Sequence, residues 1–435
     1  MQHLALESNF WNGWALLALA GIAVACSSTD TSSGENSPNP GSAGASSPSA
    51  MGGTSASSAA GSSNSNLTSA GTGATADSSS GGGSGGASGS TANLGGSGDA
   101  SGSNTGGAGA SGAGASGAGA SGAPGSAGSG ALSPKQKLLA YLAGISGKKT
   151  IAGEHNREST EGDFIQAMHD VTGHYPGLWG GDFLYESNEI KNRPNVISHL
   201  MQGWQGGAMI SLMYHACPPT QGEACAWDGG VLSSLSDAQW SDLTTDGGNL
   251  NSVWKSRLDA IAPYFQKLKD AGIAPLFRIH HEMNQGVFWW AGRKGASGTA
   301  KLFQITHDYL VKTKGFDNIV WVWSVQDLWD NDTNSWNFHA YNPGPDYWDI
   351  MSLDFYDGKG YTTDKYNAML AEAGSKPIAI GECQTLPKAQ ELSAQPRWLY
   401  FLGWAELIQQ DNSNSAISSV YTAPNVLTQD EMPGW

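Results

Sequence analysis

From Pro134 onward the chain alternates short β-rich runs with amphipathic helical stretches, and this alternation limits the fold more than any other feature of its 435 residues. The runs are Thr150 to His155, Tyr175 to Phe183, Ala208 to His215, Ile273 to Met283, Asn318 to Gln326, Trp348 to Tyr356, Lys376 to Gln384 and Ile417 to Ala423. Between them, Ser252 to Ala271 carries Val253, Leu258, Ile261, Tyr264, Phe265 and Leu268 at helical spacing, and Ala300 to Lys314 reads as another helix. Strands that alternate with helices build βαβ units and a parallel sheet. Eight such runs without an internal change of composition predict an α/β fold, a single (β/α)8 TIM barrel rather than a doubly wound sheet. The polar, Gly-rich interval from Cys217 to Asn249 is then a loop at the functional face of the barrel.

Composition confines this fold to the last two thirds of the chain. Residues 27 to 132 are almost wholly Ser, Gly, Ala, Thr and Asn, with a GASGA repeat between Gly107 and Ala123, and burial cannot repay the entropy of ordering such a segment. A disordered Ser/Gly/Ala-rich tether is expected, and its roughly 106 residues span about 50–60 Å as a Gly-rich coil. Ahead of it, the apolar run from Trp14 to Ala25 is too short for a bilayer span, which needs roughly 20 residues, and suits the core of a signal peptide over residues 1–25. The run ends in Ala23-Val24-Ala25-Cys26, either an Ala-x-Ala cleavage site or a lax lipoprotein box that acylates Cys26. A Cys at the cleavage point, followed by Ser27, Ser28 and a tether, favours lipidation; Ala23 in place of Leu and the lack of Lys or Arg before it argue the other way. The expected organisation is a signal peptide (1–25), a linker (26–132) and one folded domain (133–435). The protein is then exported, secreted or held at the cell surface or outer membrane, and touches membrane only through that anchor.

All 22 Lys and Arg and 33 of the 38 acidic residues lie from Lys135 onward, so the folded part is net acidic. Such a surface repels polyanions and excludes nucleic acid as the expected partner, while a neutral polysaccharide is indifferent to the sign of the field. Export implies an oxidising compartment. There Cys217 and Cys225, which close a short Pro-containing loop, are expected to pair, and Cys383, in an apolar strand, reads as a buried small hydrophobe.

Several predicted strands end in polar or aromatic residues: Glu154-His155-Asn156, Tyr214-His215, His280-His281-Glu282, Asp354 to Tyr356, and Glu382. In a barrel of this kind the C-terminal strand ends converge on one mouth. Glu282 closes Pro275-Leu276-Phe277-Arg278-Ile279 on the fourth strand, and Glu382 closes Pro377-Ile378-Ala379-Ile380-Gly381 on the seventh. Two carboxyl groups facing each other across a mouth are what glycoside hydrolysis needs, one to protonate the leaving oxygen and one to attack the anomeric carbon. A lone strand-end Glu is more often an ion-pair partner or helix cap; two, both among aromatics, favour catalysis. The chain has 17 Trp, and flat aromatic faces suit the apolar faces of pyranose rings. Trp289, Trp290, Trp321, Trp323, Trp329, Trp348 and Trp404 are candidates of this type, each singly more often core, with Trp290 and Trp404 best placed for a cleft. His280-His281-Glu282 with His155 and His215 could be read as metal ligands. There is no His-Glu-x-x-His helix or Cys-x-x-Cys pair, however, and along an extended strand His280 and Glu282 share one face while His281 takes the other, unless a bulge intervenes. No metal or cofactor is expected. From Pro134 onward there is no Gly-x-Ser-x-Gly elbow, Walker A loop or Gly-x-Gly-x-x-Gly after a first strand, which leaves esterase and nucleotide readings without support.

These residues resemble glycoside hydrolase family 26. Gly147-Lys148-Lys149-Thr150-Ile151-Ala152-Gly153-Glu154-His155-Asn156 is similar to that family's opening strand, and Arg278-x-x-His281-Glu282-Met283-Asn284 followed by Phe288-Trp289-Trp290 to its acid/base strand. The resemblance runs from about residue 134 to the C-terminus, through Val420-Tyr421 and Asp430-Glu431-Met432-Pro433. It implies a retaining endo-β-1,4-mannanase, a monomer acting on β-mannan, with Glu282 as acid/base and Glu382 as nucleophile. It further implies that His215 and His281 contact the sugar at the cleavage point, with Arg278 and Phe288 beside them. Tyr356 would hydrogen-bond the nucleophile, and Trp290, Trp323 and Trp404 would line the cleft. Gln285 stands where the family usually has Gly, and Val287 where it usually has Trp, on the leaving-group side. A β-glucanase, a β-1,3-xylanase and a non-catalytic polysaccharide-binding lipoprotein are the alternatives.

Overall fold

Apolar runs bounded by Gly, Pro and Asn form nine strands in the computed structural model, which describes residues 131–156 and 163–435. The expected signal peptide, Cys26 and the expected linker up to residue 130 lie outside the described residues. The strands are β1 (Thr150–His155), β2 (Leu178–Asp182), β3 (Met209–Met213), β4 (Leu276–Arg278), β5 (Val320–Gln326), β6 (Ile350–Phe355), β7 (Ile378–Cys383), β8 (Trp398–Trp404) and β9 (Val426–Leu427). All pair in parallel, β2 through β8 in sequence order, and β1 bonds both β8 and β2, so the first eight close into a barrel. The two-residue β9 extends β1 at its N-terminal end, pairing Thr150 with Val426.

The expected eighth strand, Ile417 to Ala423, is instead the helix Asn414–Tyr421, and the strand that closes the barrel is β8. Two physical signals separate them. Ser413 caps Ala416 N–H, and Ile417, Val420 and Tyr421 bury at a spacing of three and four, which is helical periodicity. Trp398-Leu-Tyr-Phe-Leu-Gly-Trp404 is apolar throughout because every residue is buried, as for a strand covered on both faces.

Inside the barrel, Ile151, Leu178, Met209, Leu276, Val320, Val322, Ile350, Ala379, Tyr400 and Leu402 form one apolar core. Leu138 and Leu142 of the helix Pro134–Ile145 join it and plug the N-terminal end; Ser133 and Gln136 cap that helix reciprocally. A second core lies between strands and outer helices. Its largest helical contribution is Asn249–Asp270, which buries Trp254, Leu258, Ile261, Phe265 and Leu268 along one stripe. Truncating one of these to Ala costs roughly 2–5 kcal/mol. The helix Thr299–Asp308 runs on as a π-helical turn over Tyr309–Thr313. Among the described residues no helix is long and apolar enough to cross a membrane. Cys217 and Cys225 are joined by a disulfide, and Cys383 is buried with a free thiol.

Candidate active site

The pleat decides which side chains reach the mouth of the barrel. Along β4, β5 and β6 the alternate positions that place Leu276, Val320, Val322 and Ile350 in the interior place Arg278, Ser324 and Asp354 above them. Arg278 Nη1 donates to Asp354 Oδ2 at 2.8 Å and to Ser324 Oγ at 2.9 Å, and its Nη2 donates to Glu382 Oε1. Tyr356, just past β6, donates its hydroxyl to Glu382 Oε2 at 2.7 Å. Strict alternation along β7 would turn Glu382 away, since Ala379 faces the interior while Ile378 and Ile380 face the helices. The register corrects this: Leu353 pairs with Ile380 but Asp354 with Glu382, and the extra residue, Gly381, makes a bulge. A side chain at Gly381 would stand 2.6 Å from Ser352 Oγ and closer still to Asp354, so only Gly allows that approach.

β4 breaks after Arg278, and the chain then passes through His280 (φ 53°) and Glu282 (φ 51°), both left-handed and costly for residues with a Cβ. This overturns the alternation expected of an extended strand. His280 turns outward, with Nε2 3.1 Å from Thr306 Oγ1 and its ring 5.2 Å from Trp254, while His281 and Glu282 both face the mouth. Asn284 pins the turn: its side chain donates to the Gln326 carbonyl and accepts from the Gln326 N–H, each at 2.7 Å. Gln285 Nε2 donates to Glu282 Oε2. One oxygen each from Glu282, Asp354 and Glu382 lies within 4.8 Å of the other two.

Burial sets the charges. It holds the Glu282 carboxyl well above the usual range, reinforced by Glu382 and Asp354, which outweigh Arg278. Asp354 is pushed up to about 8, by burial first, against the pull of Arg278. Burial works against the Arg278 cation too, but Asp354 and Glu382 more than offset it and keep the guanidinium charged. The Tyr356 phenol is raised well above its ordinary value by burial and then by both glutamates, so it remains a donor. Burial, then His215 and Arg278, lower His281 far enough to keep its imidazole neutral. Asp182 ends β2 and accepts from His215 Nδ1 at 2.5 Å; that partner lowers its pKa in spite of burial.

Aromatic rings wall the mouth. Trp290 donates to the His281 carbonyl at 2.9 Å, stacks on Phe288 at 4.5 Å and sits 5.4 Å from the His281 ring. Trp404 lies 4.4 Å from His155 and 6.2 Å from His215. His281 Nδ1 and Trp404 Nε1 are buried without a hydrogen-bond partner in the protein.

The family model described as "Glycosyl hydrolase family 26" matches residues 128–431. The chain belongs to glycosyl hydrolase family 26. Among curated relatives, a mannan endo-1,4-beta-mannosidase of Thermothelomyces thermophilus is 30% identical over 311 residues, covering 68% of this chain and 61% of the relative. The chain thus spans less than two thirds of that relative's length. A solved family 26 structure from a Muricauda species, GH26A, superposes with a TM-score of 0.65 at 30% identity, covering 70% of this chain and 98% of the other. A beta-mannanase from a symbiotic protist of the termite Reticulitermes speratus, solved with a gluco-manno-oligosaccharide, gives 0.60 at 26% identity over 69% of this chain and 95% of that one.

Within this family 26 barrel, the candidates His215, Arg278, His281, Glu282, Phe288, Trp290, Tyr356, Glu382 and Trp404 come together at the mouth. Trp323 does not. It alternates with Val322 and Ser324, so its ring faces the helical layer, 5.3 Å from Trp348. Sequence reasoning left Asp182, Ser324 and Asp354 without roles; each is a polar residue in the C-terminal half of an apolar strand, and that position was the available signal. It also missed Trp227, from the loop after β3, whose ring sits 5.5 Å from His215 and 5.9 Å from Phe288. Deeper support comes from Lys365, buried between Asp327 (2.8 Å) and Asp357 (2.6 Å), while Asp327 accepts the Tyr356 N–H at 3.1 Å. The trio Glu282, Asp354 and Glu382 is the described group whose oxygens converge closely enough to hold a cation, and the Arg278 guanidinium already supplies positive charge to two of its members.

Proposed function

We propose that residues 133–435 form the catalytic domain of a retaining endo-β-1,4-mannanase, with Glu382 as nucleophile and Glu282 as acid/base. The observation that carries this reading is the unequal treatment of two glutamates whose oxygens lie within 4.8 Å. Glu382 is gripped by a guanidinium and a phenol, and Glu282 is buried and accepts from the Gln285 amide. Oxygens that lie within 4.8 Å of each other are closer than the roughly 6.5–9.5 Å at which an inverting pair stands to admit water, and suit direct attack on the sugar. Glu382 Oε attacks the anomeric carbon, the bond to the leaving sugar breaks, and Glu282 passes its proton to the departing oxygen. In the second half, Glu282 takes a proton from water as that water displaces the glycosyl ester. Arg278 and Tyr356 orient the attacking oxygen. His281 Nδ1 and Trp404 Nε1 offer sugar hydroxyls hydrogen bonds that the protein leaves unmade.

The relatives' mannanase names direct the substrate toward mannan, glucomannan or galactomannan. Export with acylation at Cys26, and a monomeric catalytic domain on a long tether, complete the proposal. The test is reducing-sugar release from galactomannan, lichenan and β-1,3-xylan in parallel, with NMR of the first anomer. Turnover of mannan with retained configuration is the expected result. Preference for either other polymer would reassign the substrate, inversion would remove the nucleophile role from Glu382, and saturable binding without any turnover would make the domain a binding module.

A further inference from the structure

Trp329 stands out among the large apolar side chains of the described residues: 42% of it is exposed. It lies three residues past the end of β5, in a loop that the sequence builds to be rigid. Asp330 and Ser335 form a two-way antiparallel bridge, with N–H to carbonyl distances of 2.8 and 3.2 Å. That bridge makes Trp329 and Trp336 the next cross-strand pair, and their rings meet edge to face at 4.9 Å and 88°. Trp336 packs against the outer core, so it fixes its more exposed neighbour. Asp330 is held again by Asn337 Nδ2 at 2.8 Å and by Lys294 Nζ at 2.7 Å, the latter from the loop that carries Trp290.

The loop is anchored to the catalytic machinery. Asn284, two residues past Glu282, holds Gln326 through both backbone groups, and Lys294 holds Asp330, so the loop that carries Trp329 is tied at both ends to the segment that follows the acid. The acid's side is the one from which a protonated leaving sugar departs. It is also the side where Val287, half-buried, stands in place of the Trp usual in the family. An indole held exposed carries an unfavourable hydration free energy that is relieved when an apolar face covers it.

Building on the reading of Glu282 as acid/base, we propose that Trp329, braced by Trp336, is a stacking platform for a hexopyranosyl unit of the glycan on the leaving-group side. It substitutes for the aromatic surface that Val287 does not provide. In the full-length protein, Trp329→Ala then raises KM for mannohexaose and glucomannan about 3- to 10-fold, the size of one aromatic contact, with kcat within about two-fold. Hydrolysis of an aryl β-mannobioside, which places no sugar on that side, is unchanged, and Trp329→Phe recovers most of the loss. Equal losses on polymer and aryl substrate, or no loss on either, overturn the platform. A wild-type protein inert on every mannan sinks the activity reading instead. Affinity electrophoresis in galactomannan, glucomannan and mixed-linkage glucan then decides the platform alone. Retardation that weakens in Trp329→Ala upholds it; equal retardation, or none in the wild type, overturns it.

Discussion

The ends of β4 and β7 present the same side chain to the same mouth and treat it in opposite ways. Glu382 sits on a six-residue strand, re-aimed by a bulge at Gly381, with one oxygen on Arg278 and the other on Tyr356. Glu282 follows a three-residue strand through two left-handed residues, and among the described residues its hydrogen-bond donor is the Gln285 amide rather than a cation. The first arrangement holds both oxygens in a fixed pose; the second disfavours charge and keeps the proton on. Environment rather than residue type divides the labour, and that division is what an acid and a nucleophile on one sugar require.

The sharpest way to break this comparison is to remove either member. Glu382→Ala should lower kcat on mannan on the order of 10⁴-fold or more, because no other group can form the ester, while thermal unfolding still reports a folded barrel. Activity near the wild-type level in that variant would end the assignment. Glu282→Gln keeps the shape and loses the proton; a fall of about 10²–10⁴-fold on mannan is expected, with a much smaller fall on an aryl mannobioside whose leaving group needs no acid. If both substrates fall equally, Glu282 is not the acid. Arg278→Lys tests the clamp. A lysine keeps the charge but cannot fork between Asp354, Ser324 and Glu382, and kcat should drop roughly 10- to 100-fold, corresponding to about 1–3 kcal/mol of hydrogen bonding to charged groups. A lysine variant with full activity would show that charge alone suffices.

Legibility followed the same division. The seven strands read correctly are those whose apolar runs are bounded by Gly, Pro or Asn, whereas β8 hides in an apolar run with no alternation because helices and barrel bury both its faces. Glu282 and Glu382 were found as strand-end carboxyls among aromatics. The resemblance also pointed to the Tyr356 bond to Glu382, which the barrel contains. The rest of the network was not legible: nothing local says that Arg278 reaches across the mouth to Asp354, 76 positions later, or that Asp182 supports His215. Trp323 was misplaced because the residue type suits a cleft and only the pleat, set by Val322 and Ser324, says otherwise. The left-handed turns at His280 and Glu282 break sequence alternation, and functional sites are where such strain persists.

The smallest expected effect sharpens the comparison most. Gln285 donates to Glu282 Oε2, and an amide donor stabilises the ionised form more than the neutral one, so it pulls down a pKa that burial has raised. The sign follows. The acid works while protonated, and kcat/KM falls as pH rises through its raised pKa, which makes it the basic limb of the profile. Replacing Gln285 by Ala removes the opposing pull, raises that pKa further and moves the basic limb to higher pH by up to about one unit, with the maximum rate changed only a few-fold. The limb should vanish when Glu282→Gln is assayed on the aryl substrate. A limb that moves to lower pH in Gln285→Ala would mean the amide holds the protonated carboxyl instead, and the division between β4 and β7 would rest on burial and the neighbouring carboxylates alone.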